Sequence, residues 1–98
     1  MGKLEEDTRE KNQKIVAYTL KQLGEYYGFT ESEQETALFY FNKSIELDSQ
    51  NTDIMISMAL YYVTLCESYW NKAEEYYLKA LEIKKDNVYI MRAIASFY

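Results

Sequence analysis

Few side chains in this sequence are of the kinds that perform covalent or metal chemistry. There is no His, and Cys66 is the one cysteine. Without His, a zinc site and imidazole-based proton transfer are almost excluded. A lone cysteine cannot close an internal disulfide, and no cation stands beside Cys66 to favour its thiolate, so a reduced thiol is expected. The acidic residues gather in short runs: Glu5-Glu6-Asp7, Glu31/Glu33/Glu35 and Glu74-Glu75. Calcium binding needs oxygen ligands converging on a Gly-turned loop, and none of these runs has that spacing. They read as solvated faces, and the run at 31–35 as the start of a helix, where negative charge is favourable. There is no Gly-rich phosphate loop and no nucleophile elbow. The sequence therefore predicts no catalytic residues, no metal, no cofactor and no enzymatic activity.

The remaining candidates are aromatic. The 98 residues include eleven Tyr, four Phe and one Trp. Tyr pairs at 26–27, 61–62 and 76–77 could stack on nucleic-acid bases, but the net charge of −5 removes the basic face such binding needs. Their spacing fits packing better. The second Tyr of each pair reads as core, and the first as a contact between neighbouring structural units.

Those units are visible as an internal repeat. Residues 37–51, ALFYFNKSIELDSQN, match residues 73–87, AEEYYLKALEIKKDN, at an offset of 36. Ala37 falls on Ala73, Phe41 on Tyr77, Ser44 on Ala80, Leu47 on Ile83 and Asn51 on Asn87. Upstream, Leu23-Gly24-x-x-Tyr27 returns as Met58-Ala59-x-x-Tyr62 and again as Ile94-Ala95-x-x-Tyr98. Apolar residues recur at i, i+3, i+4 and i+7, which is helical spacing. The absence of Pro and the three Gly leave too few breakers for a many-stranded sheet. Five helices are predicted, over 9–27, 32–48, 53–65, 69–84 and 88–97. Ser32-Glu33-Gln34-Glu35 reads as a capping box for the second, Gly28 as the break before it, and Lys84 and Lys85 as the last turn of the fourth. Asp53 and Asp86 fall near the starts of the third and fifth helices. Gly24, Ala59 and Ala95 are small enough for a second helix to approach closely, with an aromatic one turn later filling the space beside it. Met55, Met58 and Met91 read as core filling before adaptable surface.

This pattern resembles the tetratricopeptide repeat, a helix–turn–helix of about 34 residues with W-x2-L-G-x2-Y and A-x3-F motifs. The resemblance runs from about Ala17 to Tyr98. It is carried by Leu20-x2-Leu23-Gly24-x2-Tyr27, by Trp70-x2-Ala73-x3-Tyr77-x2-Ala80-Leu81-Glu82-Ile83, and by Phe41-x2-Ser44-Ile45-Glu46-Leu47-Asp48. It departs at the Trp position, held here by Leu20, Met55 and Met91, and at the usual Pro, held by Ser49 and Lys85. The turns inside the repeats are one and two residues longer than usual, a tolerated change. Pentatricopeptide repeats are basic and Sel1-like repeats are richer in Gly, so both fit less well. The resemblance implies an all-α fold: antiparallel helix pairs stacked as a short right-handed α-solenoid. The expected divisions are a charged N-terminal tail at 1–8, a first repeat at about 17–51, a second at 52–87 and a partial third at 88–98.

In that family the first helices of the pairs line a concave groove that holds a peptide. Carried onto this sequence, the groove comprises Tyr18, Lys21 and Glu25 from the first repeat. The second contributes Asp53, Ile56, Leu60 and Thr64, and the third Tyr89, Arg92 and Ser96. Ile56 and Leu60 would be its apolar centre, flanked by Lys21 and Arg92, suiting a segment with an apolar anchor and an acid. Core packing is the competing reading for Ile56 and Leu60, and solvated surface for the two cations. The carboxylate grip of chaperone-binding members is not expected. Lys21 matches its first Lys, but Glu25, Ser57, Tyr89 and Ala93 occupy its other positions, with Arg92 one residue away.

The expected function is therefore a protein-interaction module, scaffold or adaptor, binding a protein or peptide and not nucleic acid. The alternative is assembly: Ile94, Phe97 and Tyr98 give the last helix an apolar face that a longer array, or a second copy, would cover. The charged opening MGKLEEDTREKNQK has no apolar stretch of a secretory signal, and Glu6 stands where myristoylation needs Ser or Thr. The longest apolar-rich run, Ile54–Leu65, is too short for a membrane span. A cytoplasmic location is expected.

Overall fold

A computed structural model describes residues 2–98. These residues form five α-helices and no strand: α1 (Lys3–Glu25), α2 (Gln34–Leu47), α3 (Thr52–Leu65), α4 (Trp70–Ile83) and α5 (Val88–Phe97). A π-helical turn, Tyr26–Thr30, extends α1, and a 3-10 turn, Glu67–Tyr69, precedes α4. The chain divides into two compact units at Ser49/Gln50.

The first unit is a hairpin of α1 and α2. Its contacts run in opposite order along the two helices. Tyr27 stacks on Tyr40 with ring centroids 5.7 Å apart, Gly24 faces Phe41, and Lys14 Nζ reaches Asp48 Oδ1 at 3.3 Å. Phe41 and Ala37 are fully buried, as is Ser44, whose hydroxyl donates to the Phe41 carbonyl at 2.7 Å. That internal bond removes the cost of burying an unsatisfied hydroxyl. The close approach is set by Gly24. A Cβ there would stand 2.9 Å from the Phe41 ring, inside contact distance.

Of the predicted tail at 1–8, Met1 lies outside the described residues, while residues 3–8 form the first turns of α1. The turn of this hairpin differs from its expectation. Gly28 does not break the helix: the backbone continues as a π-turn to Thr30, closed by Glu31 N–H to Tyr26 O at 3.2 Å. The wider ring absorbs extra chain within the turn. Nor does Ser32 cap α2. Its φ of +57° puts it in the left-handed region, and Glu33 is the N-cap without a side-chain bond. The break is made by Ser32, at a steric cost of roughly 1–2 kcal/mol.

The second unit contains α3, α4 and α5. Helix α3 is buried almost throughout, from Thr52 to Tyr62 with Asp53 and Leu60 exposed, as its nearly continuous apolar sequence requires. Met55 and Met58 are core and Met91 is exposed. Tyr62 stacks on Tyr76 at 6.0 Å, with planes 7° apart, and on Tyr69 at 5.7 Å. Contrary to expectation for the first member of a pair, Tyr76 packs inside its own unit, and Tyr61, also a first member, is buried core. Ala59 and Tyr77, the counterparts of Gly24 and Phe41, are both buried.

The 36-residue offset is repeated in backbone detail. Asn51 and Asn87 cap α3 and α5, each side chain accepting from the N–H three residues on, at 3.1 Å. Their dihedrals are −80°, 109° and −81°, 111°. Asp48 and Lys84, which end α2 and α4, have matching ψ values of 73° and 74°. Lys84 thus terminates α4 instead of lying in its last turn, and Lys85 lies beyond it.

Candidate partner groove

A cavity of about 360 Å³ opens in the second unit between α3 and α5. Ile56, Leu60 and Val63 form its α3 wall. Tyr89, Arg92 and Ser96 form the opposite wall, together with Ala93 and Phe97, and Tyr77 of α4 completes it. Spacings of three and four residues put Tyr89, Arg92, Ala93 and Ser96 on one face of α5. The apolar pair of the sequence reading divides. Ile56 is 4% exposed and belongs to the core as well as to the cavity wall, whereas Leu60 is 44% exposed and reachable.

Five predicted groove residues therefore come together: Ile56, Leu60, Tyr89, Arg92 and Ser96. Asp53 and Thr64 are exposed but do not line the cavity. Asp53 sits in the first turn of α3, where its charge favours the helix, and the Thr64 hydroxyl donates to the Tyr61 carbonyl at 2.6 Å. Tyr18, Lys21 and Glu25 belong to the first unit and meet each other. Lys21 Nζ lies 3.4 Å from Glu25 Oε2 and 4.8 Å from the centre of the Tyr18 ring. Sequence reading missed Val63, Tyr77, Ala93 and Phe97 as cavity walls. The i+7 relation of Val63 to Ile56 and the i+4 relation of Ala93 to Tyr89 would have found two of them; Tyr77 and Phe97 depend on tertiary packing.

The cavity holds one charged side chain, Arg92. Lys14, Lys21, Lys43 and Lys79 each meet an acid within 4 Å, whereas no carboxylate among the described residues pairs with Arg92, nor with Lys3, Arg9, Lys11, Lys72, Lys84 or Lys85.

Of the expected assembly face, Ile94 and Phe97 are half-buried and Tyr98 is 74% exposed. Phe97 packs edge-on to Trp70 at 6.3 Å and tilted against Tyr77 at 5.4 Å. Tyr98 donates its phenol to Glu74, and that carboxylate raises the phenol's pKa. Ile94 is half-buried and Ala95 is exposed.

The tyrosine stack carries the largest electrostatic effect. Burial pushes the Tyr62 phenol up to about 12, with smaller contributions from Tyr76 and Tyr69. Cys66 is exposed, and its Sγ lies 2.8 Å from Ser68 Oγ. That hydrogen bond lowers the thiol pKa. Glu31, within the acidic run before α2, accepts from the Tyr26 hydroxyl at 3.2 Å. No group of three or more His, Cys, Asp or Glu among the described residues converges to hold a metal. No helix among them is long and apolar enough to cross a membrane. Comparison with protein-family models, curated proteins and solved structures returned no match.

Proposed function

We propose that the chain is a non-enzymatic protein-interaction module of tetratricopeptide-repeat type, which holds a peptide segment or partner helix in the cavity between α3 and α5. The observation that carries this reading is the cavity itself: an apolar trough with one reachable aliphatic anchor, Leu60, and one cation, Arg92, that meets no carboxylate among the described residues. Its volume is that of a site for one or two large side chains. The repeated Asn caps and tyrosine stacks support the family resemblance, with the paired helices as units of a solenoid acting in the cytoplasm as a scaffold or adaptor. Self-association through Ile94, Phe97 and Tyr98 is the second reading: Phe97 already packs on Trp70 and Tyr77, while Tyr98 stays exposed.

The test is selection from a displayed peptide library on the full chain. Selected peptides are expected to lose at least about tenfold in affinity on Leu60→Glu, which replaces the anchor with a charge that peptide binding would desolvate, while circular dichroism stays helical. Peptides that bind Leu60→Glu unchanged would overturn the reading.

A further inference from the structure

We infer that two copies of this chain associate through the N-terminal half of α1, with the two helices paired antiparallel. This surface is separate from the α3–α5 cavity and from the last helix. Residues 3–16 of α1 are exposed at every position, and burial begins only at Ala17. That leaves about 21 Å of helix with no packed neighbour, a length that is marginal on its own. Leu4, Thr8, Lys11 and Ile15 follow one another at spacings of four, three and four, so they share one face. Ile15 precedes the buried Ala17 by two residues, so this face points away from the hairpin interior. Its two aliphatic side chains stand out in water, Leu4 at 82% exposure and Ile15 at 56%.

Charge selects both the occupant and its direction. Residues 3–8 carry three acids and one cation, and residues 9–14 carry three cations and one acid. A second copy laid antiparallel sets each acidic half against a basic half. Laid parallel, it sets like against like and stacks Lys11 on Lys11. In the antiparallel register Leu4 meets Ile15 of the second copy, Thr8 meets Lys11, and Asp7 stands opposite Lys14, each contact occurring twice. Lys14 reaches Asp48 at 3.3 Å with 59% of its side chain still exposed, and its three N–H donors suffice for both acids.

The test is sedimentation equilibrium of the full chain from micromolar to millimolar concentration, with circular dichroism on each variant. A monomer–dimer equilibrium is expected, weaker at high salt. Asp7→Lys should weaken it about tenfold, because two partly exposed ion pairs become repulsions. Lys14→Glu should do the same. An equimolar mixture of those two variants should restore association, since the mixed dimer again sets opposite charges together at both ends. Leu4→Glu should cost about tenfold by removing the aliphatic contact. All three positions are exposed, so helicity should persist. A monomer at every concentration would overturn the inference. So would a dimer that Asp7→Lys and Leu4→Glu leave intact, or a loss that mixing the charge variants does not restore.

Discussion

The two units are built from related sequence and solve the same packing problem with different residues. In the first, Gly24 lets α2 approach until the Phe41 ring fills the place of a Cβ. In the second, Ala59 occupies the corresponding position and Tyr77 the aromatic one, both buried. Each unit stacks a tyrosine on one from its second helix: Tyr27 of the π-turn after α1 on Tyr40, and Tyr62 of α3 on Tyr76. The units part at the cations of the proposed groove. Lys21 of α1 is closed off by Glu25 and Tyr18, whereas the second unit sets α5 beside α3 with Arg92 lining a cavity and meeting no carboxylate among the described residues. The lesson is that repetition of a core does not imply repetition of a site. The buried positions are held by volume, while the face is free to close on itself or stay open.

The largest expected effect on this comparison comes from its two aromatic plugs. Phe41→Ala and Tyr77→Ala should each destabilise by about 3–5 kcal/mol, as buried aromatic truncations do, read by urea unfolding. Comparable losses would show that the two cores are equivalent.

Exchanging the small residues should be harmful in both directions. Gly24→Ala gains helix propensity but drives a methyl into the Phe41 ring, for a net cost of about 1 kcal/mol. Ala59→Gly loses a buried methyl and stiffens nothing, costing about 1–2 kcal/mol. If Gly24→Ala were stabilising, the close approach at Phe41 would be refuted.

The caps should behave as a matched pair. Asn51→Ala and Asn87→Ala each free one helix-terminal N–H, so each should cost about 1 kcal/mol in thermal or urea unfolding.

A separate effect appears at high pH. The fold favours the neutral Tyr62 phenol, whose pKa rises from 10.0 to about 12. Its contribution is complete below the unfolded value and is lost as pH climbs through that window. Stability should fall between about pH 10 and about pH 12, and Tyr62→Phe should flatten part of that slope. Least of all, Lys21→Ala should change stability by under about 0.5 kcal/mol, the scale of an i,i+4 pair.

Much of this fold was legible because its signals are local. Helical spacing of apolar residues announced the five helices, and the alignment of Asn51 with Asn87 marked two turns that share one conformation. The errors lie where local chemistry was overruled. Ser32-x-x-Glu35 has the composition of a capping box, yet Ser32 takes up the left-handed backbone that ends the π-turn. Gly28 looks like a breaker but is carried inside that turn. Of the groove, the α5 face was readable from the spacing of Tyr89, Arg92 and Ser96. The state of the cations was not. Lys21 and Arg92 look equivalent in sequence, and only side-chain geometry shows that one is paired. Likewise Ile56 and Leu60 are both apolar, one turn apart, and only packing sends one inward and leaves the other reachable.

The central claim is that the ligand-holding face belongs to the second unit and not to the first. The direct measurement is an amide-shift map of the full chain titrated with a peptide selected from the library. The account predicts shifts along α3 at 56–63 and along α5 at 89–97, with α1 at 17–25 unmoved. Shifts centred on Tyr18, Lys21 and Glu25, with α5 silent, would contradict it.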